Sequence, residues 1–273
     1  MKLKNKKFII TSLTIIALLA ITVIQIGKNS GNQEETRLTS SQGLSNKKIG
    51  WGIKKNDNHE QPDLGKVNKE ILEKNNGIAM GNNNDKYIYL TFDEGYEAGH
   101  TTQILSTLKE NNVKATFFIT AHYLNTQPDL VKQMIEEGHI VGNHTVNHKS
   151  MPSLTEEQIN SEVMDLHKTI YEKFGYEMKY IRPPMGEFSE KSITVTNSLG
   201  YKTVMWSFAY EDWNENKQPE ENSAKKKIID NVHNGEIMLL HGNSKTNTNI
   251  LGDIIKEIKN MGYEFKLLDE FKS

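Results

Sequence analysis

The pattern of apolar and polar positions divides the chain near residue 86. From residue 87 onward, short apolar runs typical of buried strands alternate with longer stretches that have the three-to-four-residue period of amphipathic helices. The predicted strands cover residues 87–92, 115–120, 139–143, 179–181, 203–208, 236–240 and 264–268. The predicted helices cover residues 101–111, 128–137, 155–174, 190–199, 224–231 and 250–261.

The ends of the predicted helices carry recognisable capping residues. The sequence Ser-Leu-Thr-Glu at 153–156 fits a capping box before the third helix. A glycine follows five of the helices, where a left-handed C-terminal cap is expected, at Gly138, Gly175, Gly200, Gly235 and Gly262. Seven strands that alternate with six helices predict a parallel α/β architecture, which a closed barrel and an open sheet satisfy equally well.

The first 28 residues follow a different pattern. Four lysines lie between Lys2 and Lys7, and residues 8–26 carry no charge. A run of about 20 apolar residues spans a bilayer, and flanking lysines favour its cytoplasmic side. We therefore expect a signal anchor at 1–28, with a cleaved signal peptide as the alternative, and an extracytoplasmic remainder. Residues 29–85 are predicted to be a polar tether with a short ordered lead-in around Trp51, and residues 86–273 to be one domain.

Composition and charge narrow the possible functions. The chain has 273 residues and no cysteine, which excludes disulfides, a thiol nucleophile and a cysteine-ligated metal site. Residues 1–28 contain five lysines and no acid, so the rest of the chain has a net charge of −7, against −2 for the whole. A negative domain argues against nucleic acid as a partner.

The most conspicuous polar residues follow predicted strands. In parallel α/β folds, the carboxyl ends of the strands carry the active site. The sequence therefore predicts that these residues converge on one site. In chain order they are Asp93, Glu94, His144, His148, Arg182, Asp212 and His241.

His144 and His148 are four residues apart, which allows both imidazoles to bind one metal ion. Two surface histidines in a loop are the alternative. A carboxylate from a neighbouring strand would complete a zinc site with an open position for water. Asp93 and Glu94 supply two adjacent carboxylates, and their side chains diverge, so one can bind metal while the other contacts water or substrate. A strand-ending acidic turn is the alternative for this pair.

Three further segments fit a catalytic edge, and each has a simpler interpretation. Two prolines after Arg182 stiffen its loop, which suits an arginine that orients a carboxylate, although a surface turn would look the same. His241 ends an apolar strand, where a core histidine is the alternative. Trp213, Trp206 and Tyr210 can form a stacking wall for a sugar ring or ordinary loop packing.

With these residues assembled, the chain resembles the polysaccharide deacetylases, the NodB-like carbohydrate esterases of family 4, over about residues 86–271. Five family motifs appear in order, at 91–95, 144–148, 182–186, 209–213 and 239–241. Glu94 replaces the usual second aspartate of the first motif, and Ala209 replaces the usual first aspartate of the fourth. The chain is most similar to the subgroup of peptidoglycan deacetylases that makes muramic δ-lactam in spore-forming bacteria, which departs from the family at the same two positions.

The resemblance implies a distorted (β/α)7 barrel that hydrolyses N-acetyl amides with the help of a divalent metal, expected to be Zn²⁺. The implied metal ligands are Glu94, His144 and His148. The implied catalytic residues are Asp93 as general base, Arg182 as the residue that orients Asp93, His241 as general acid, and Asp212 as the residue that orients His241. The implied substrate-binding residues are Trp213, Leu239, Met185 and Tyr210.

The expected partner is the glycan strand of peptidoglycan. Deacetylation of N-acetylmuramic acid, leading to muramic δ-lactam in the spore cortex, is the function that the subgroup resemblance implies. N-acetylglucosamine of peptidoglycan or chitin is the alternative substrate. A non-catalytic glycan-binding wall protein is the alternative from a different class.

Overall fold

The computed structural model describes residues 43–272, which from Ser45 onward form one compact unit. The predicted membrane segment and the first part of the tether lie outside the described residues. Within residues 43–272, no helix is both long enough and apolar enough to cross a bilayer.

The described elements alternate as the sequence pattern predicts. The strands are β1 (Ile49–Gly50), β2 (Tyr87–Glu94), β3 (Thr116–Ile119), β4 (Ile140–Asn143), β5 (Tyr180–Ile181), β6 (Glu187–Phe188), β7 (Lys202–Thr203), β8 (Glu236–His241) and β9 (Glu264–Phe265). The α-helices are α1 (Lys66–Lys74), α2 (Thr101–Glu110), α3 (Ala121–Thr126), α4 (Pro128–Glu136), α5 (Glu156–Phe174), α6 (Glu190–Ser198), α7 (Glu221–Asn231) and α8 (Lys245–Asn260). The prediction of a parallel α/β fold is confirmed.

The helix ends differ from the prediction in two details. The N-cap of α5 is Thr155, which exchanges hydrogen bonds with Gln158, so the capping box begins two residues after Ser153. The five predicted glycines all adopt a positive φ, between +63° and +90°, but Gly235 lies four residues beyond the end of α7 and does not cap it.

The main sheet is parallel and curls toward closure. Its strand order is β7-β5-β4-β3-β2-β8, and β9 pairs with the start of β2. The predicted strand at 203–208 is reduced to β7 and two isolated bridges, of which Phe208 with Met238 links the segment after β7 to β8 at the opposite edge. The carboxyl ends of β2, β4, β5 and β8 therefore surround a common space.

The predicted lead-in packs against this unit. β1 pairs antiparallel with β6, with Ile49 opposite Phe188. The Trp51 side chain is buried, and its indole N–H donates to the carbonyl of Trp206 at 2.9 Å. The lead-in thereby supports the loop between β5 and β6.

The two faces of the sheet bury different sets of side chains. Along β2, Ile88, Leu90 and Phe92 belong to the large core between sheet and helices, whereas Tyr89 belongs to a separate cluster with Phe118. This alternation is the two-residue period of a strand. Even-numbered positions of β2 thus face the helices, and odd-numbered positions face the inside of the curl.

This alternation corrects the prediction that Glu94 binds metal together with the two histidines. The ladder between β2 and β3 continues to the pair of Glu94 with Ile119, so Glu94 and Asp93 lie on opposite faces. The Glu94 side chain is fully buried on the helix side. It packs against Gly242, where even one added methyl group would overlap Glu94 Oε1.

The Glu94 carboxyl is isolated in the core. Neither of its oxygens has a hydrogen-bond partner among the described residues. Burial, followed by the nearby charges of Glu97 and Asp93, raises the pKa of Glu94 well above its ordinary value. The raised pKa favours the protonated, neutral form of Glu94.

Replacing this carboxyl with an apolar side chain of similar length is expected to stabilise the protein. Glu94→Met should raise the free energy of unfolding at neutral pH by ~1–3 kcal/mol, the cost of an unsatisfied buried polar group. The unfolded chain releases the Glu94 proton above about pH 4.3, while the folded protein retains it, so the wild type loses stability as pH rises through this range. Urea unfolding at pH 4 and pH 7.5 should show a larger gain at the higher pH. An equal or smaller gain at pH 7.5 would contradict the neutral, buried state of Glu94.

Candidate active site

A cavity of about 840 Å³ opens at the carboxyl end of the sheet. Asp93, His144, His148 and His241 all line it. Asp93 and His241 lie opposite each other in the register of β2 and β8, and both occupy inward-facing positions. The predicted convergence of strand-end residues is therefore observed for the charged and imidazole side chains, with Glu94 as the exception.

Asp93 is held by a buried arginine. The Arg182 guanidinium is fully buried, and its Nη1 donates to Asp93 Oδ1 at 2.8 Å and to Thr91 Oγ1 at 2.9 Å. Burial alone would raise the pKa of Asp93, but Arg182, with smaller contributions from His144 and His241, lowers it below its ordinary value. Asp93 is therefore an anion with its second oxygen, Oδ2, available in the cavity.

Contacts with a backbone carbonyl and an aromatic ring also fix the position of the Arg182 side chain. Its Nε donates to the carbonyl of Val204 at 3.2 Å, and its guanidinium carbon lies 4.3 Å from the centroid of the Phe118 ring. Gly142 makes room for that ring, because a methyl group at position 142 would overlap it. The sequence predicts the arginine, but not the glycine and phenylalanine that support it.

His241 forms a second ion pair on the opposite side of the cavity. Its Nδ1–H donates to Asp212 Oδ1 at 2.7 Å, and its backbone N–H donates to Asp212 Oδ2 at 2.9 Å. The Asn247 amide also donates to Asp212 Oδ2, at 2.6 Å. Burial alone would lower the pKa of His241, but the carboxylates of Asp212 and Asp93 raise it above its ordinary value. Nε2 has no part in this pair and is free to face the cavity.

The His144 ring is oriented so that the lone pair of its neutral form lies on Nε2, at the cavity. Its Nδ1–H donates to the carbonyl of Arg182 at 2.8 Å, so Nε2 carries the lone pair and lies 3.6 Å from Asp93 Oδ2. Burial lowers the pKa of His144 to about 4. The rings of His144 and His148 are 4.8 Å apart between centroids.

The loop that carries His148 is strained and depends on a residue that the sequence did not single out. Thr145 and His148 both have left-handed backbone conformations, with φ of 70° and 54°, which cost energy for residues with a Cβ. Glu162 of α5 accepts from the backbone N–H of Asn147 at 2.7 Å and from its side-chain amide at 2.8 Å. Glu162 thereby holds the loop in place, although its sequence position is indistinguishable from that of any polar helix residue.

The predicted metal ligands are not assembled. His144 and His148 face the cavity, but Glu94 lies on the other face of β2. Within residues 43–272, no three His, Asp or Glu side chains are arranged so that they could hold a metal ion. The donor set on this chain therefore does not fit the three-ligand site that the resemblance implies.

Three of the four predicted substrate-binding residues line the cavity: Trp213, Leu239 and Met185. Tyr210 does not, and its assignment is corrected. Its ring belongs to the core between sheet and helices, and its hydroxyl donates to Asn247 Oδ1. Tyr210 therefore packs in the core on the helix side, whereas Trp213 lies on the rim of the cavity.

Further residues of the cavity wall were not predicted from the sequence. His122, Tyr96 and Asn243 line the cavity, and each lies in or beside a loop that follows a strand. Tyr96 and Asn243 are two or three residues beyond Asp93 and His241. Proximity to these motifs was the only signal in the sequence that could have found them.

Comparison with known proteins identifies the family. The sequence profile of polysaccharide deacetylases matches residues 80–204. The chain is 41% identical over 231 residues to the peptidoglycan-N-acetylmuramic acid deacetylase PdaA of Bacillus subtilis, covering 84% of this chain and 88% of that protein. It is 35% identical over 193 residues to a peptidoglycan-N-acetylglucosamine deacetylase of Bacillus cereus, covering 69% of this chain and 89% of the relative.

Comparison with a solved structure supports the same family assignment. The structure of Bacillus subtilis PdaA, described as a family 4 carbohydrate esterase, superposes with a TM-score of 0.81 and covers 84% of this chain and 98% of that one. The sequence identity in this comparison is 41%. The chain therefore belongs to the polysaccharide deacetylase family, carbohydrate esterase family 4, and is a polysaccharide N-deacetylase.

Proposed function

We propose that this enzyme removes N-acetyl groups from amino sugars of peptidoglycan, with N-acetylmuramic acid as the substrate. The observation that carries the proposal is the pairing of an arginine-bound anion, Asp93, with a carboxylate-bound histidine, His241, across one cavity. Two titratable groups whose surroundings move their pKa values apart are the usual arrangement of a general base and a general acid.

Asp93 is assigned the first proton transfer. Its Oδ1 is occupied by Arg182, so Oδ2 is the atom that accepts a proton from the attacking water. The lowered pKa keeps Asp93 ionised and ready for this role. The rigid loop of Pro183 and Pro184 places the backbone N–H of Met185 as a donor to the oxyanion that forms on the acetyl carbonyl.

His241 is assigned the second proton transfer. Asp212 fixes its Nδ1–H, so the proton on Nε2 is the one donated to the sugar nitrogen as the carbon–nitrogen bond breaks. The raised pKa favours the protonated form of His241. Acetate and a free amine are the products, and Trp213 and Leu239 form the wall against which the acetyl methyl group packs.

The resemblance also implies a divalent metal, with zinc as the expected ion. Because Glu94 lies on the far face of β2, the steps above are assigned to Asp93 and His241 alone.

The choice of N-acetylmuramic acid is supported by the higher identity to PdaA, 41% against 35% for the N-acetylglucosamine deacetylase. The freed amine of muramic acid can then close onto the lactyl carboxyl and release water, which gives the δ-lactam of spore cortex. N-acetylglucosamine is the second candidate. The non-catalytic, glycan-binding alternative finds no support in a cavity that retains both proton-transfer groups.

We also propose an extracytoplasmic location. The uncharged run at residues 8–26 supports a membrane anchor or a cleaved signal peptide, with residues 86–273 as the catalytic domain outside the membrane. The bridge from Phe208 to Met238 supports closure of the sheet into a distorted (β/α)7 barrel.

The substrate is tested by treating purified glycan strands with the enzyme, digesting them with a muramidase and analysing the fragments by mass spectrometry. We expect muramic acid residues to lose the mass of one acetyl group exchanged for hydrogen, and a further water wherever the δ-lactam has closed. Deacetylation confined to glucosamine would transfer the assignment to the second candidate. Absence of acetate release from any strand would favour the glycan-binding alternative.

Removing the acid should abolish turnover without abolishing the fold. His241→Ala is expected to lower kcat by ~10²–10⁴-fold, the usual contribution of a positioned general acid. His100→Ala is the matched control, because His100 lies outside the cavity and makes no side-chain cap to α2. Acetate release by His241→Ala at the rate of the control would refute the assignment.

The ion pair with Asp212 should set the alkaline limb of the pH profile. Asp212→Asn retains an acceptor for Nδ1–H but removes the negative charge, so the pKa of His241 should fall and the limb should move to lower pH. The measurement is kcat/KM as a function of pH for wild type and variant. An alkaline limb at the same pH in both would show that another group controls it.

A further inference from the structure

Two large aromatic side chains are exposed at the rim of the cavity. Tyr96 is 44% exposed and Trp213 is 50% exposed, and both line the cavity that contains Asp93 and His241. They come from different loops, one after β2 and the other in the long segment before α7. Exposed aromatic surface gathered at a groove is characteristic of a ligand-binding site.

Asn243 ties the two loops together. Its Nδ2 donates one hydrogen to the Tyr96 hydroxyl at 2.8 Å and the other to the carbonyl of Trp213 at 3.0 Å. Asn243 itself is only 8% exposed, so it is a fixed support. Burial, followed by the neighbouring Glu215, raises the pKa of Tyr96.

These contacts hold the Tyr96 side chain and the backbone of Trp213 in place before any ligand arrives. A side chain that is already held in place loses little conformational entropy when a ligand binds against it. Tyr96 and Trp213 therefore present a preformed surface with an apolar face and polar edges. Such a surface suits a sugar ring, which has an apolar face of C–H groups and a rim of hydroxyls.

The charge and size of the cavity favour an uncharged ring beyond the one that reacts. None of the described residues that line the cavity is Lys or Arg. The volume of about 840 Å³ is near the upper end of the usual range for small-ligand sites. The Trp213 ring lies 5.5 Å from the His241 ring, so the aromatic rim begins next to the proposed acid and extends outward.

Building on the proposed function, we propose that Tyr96 and Trp213, joined by Asn243, form a subsite for a second, uncharged sugar ring of the glycan chain. Tyr96 supplies the additional stacking surface, and Asn243 is a positioning residue that acts through Tyr96 and Trp213. The subsite makes the enzyme prefer chains of two or more sugars over a single amino sugar.

The test measures how binding strengthens with glycan length. N-acetylmuramic acid alone and peptide-free, N-acetylated strands of two and four sugars are titrated calorimetrically into protein carrying Asp93→Asn, which prevents turnover. The length gain is the dissociation constant for one sugar divided by that for four. Tyr96→Ala and Asn243→Ala are each expected to reduce this gain by about three- to tenfold, the scale of one aromatic contact.

Two variants serve as matched controls. Tyr96→Phe retains the ring and loses only the hydroxyl, so it should keep most of the length gain. Tyr171→Ala removes an exposed tyrosine of α5 that does not line the cavity. This variant should keep the whole length gain. Unchanged melting temperatures exclude a folding defect as the cause of any loss.

A length gain in Tyr96→Ala equal to that in Tyr171→Ala would overturn the subsite. If the dissociation constants for one and for four sugars rise by the same factor, the length gain is unchanged and Tyr96 is assigned to the reacting sugar alone. Failure of the proposed function is recognised separately, as the absence of acetate release by the wild type from every strand, whatever the binding results.

Discussion

The buried contact between Arg182 and Asp93 is the constraint on which the site depends. Arg182 ends β5, and Asp93 lies in β2, three strands away in the sheet order. In a flat sheet, strands about 4.8 Å apart would separate them by roughly 14 Å, which an arginine side chain does not bridge with hydrogen-bonding geometry. The contact therefore requires the sheet to curl. A buried guanidinium is stable only when its donors are satisfied, and here Asp93, Thr91 and Val204 accept from it.

The curl also decides how charge is distributed around the cavity. Asp93 is paired with a fixed cation, and His241 is paired with a fixed anion, Asp212, so their pKa values move in opposite directions. Each pair is completed by groups behind it: Phe118 and Gly142 support Arg182, and Asn247 donates to Asp212. The opposite pKa shifts of Asp93 and His241 follow from these surroundings, and not from the residue types alone.

Two buried carboxyl groups outside the cavity, those of Glu94 and Glu236, have surroundings unlike those of Asp93. Glu94 and Glu236 are fully buried, and burial raises the pKa of each well above its ordinary value. The basic side chain that contacts Glu236 is His233, at 3.5 Å, and burial lowers the pKa of His233 to about 4. Each glutamate retains at least one oxygen without a partner among the described residues. The surroundings thus favour a neutral carboxyl at Glu94 and an anionic one at Asp93, one position away on the opposite face.

The sequence by itself determined the alternation of strands and helices, their approximate ends, and the convergence of Asp93, His144, Arg182 and His241. Periodicity and motif order carry that information, because parallel strands bring their carboxyl ends to one edge. Only the tertiary structure decided where Glu94 and Tyr210 point. The sequence predicted that β2 ends at residue 92, but pairing with β3 extends it to Glu94 and keeps the alternation of faces. Supports such as Glu162 and Asn243 depend on contacts between distant segments, so no local pattern could reveal them.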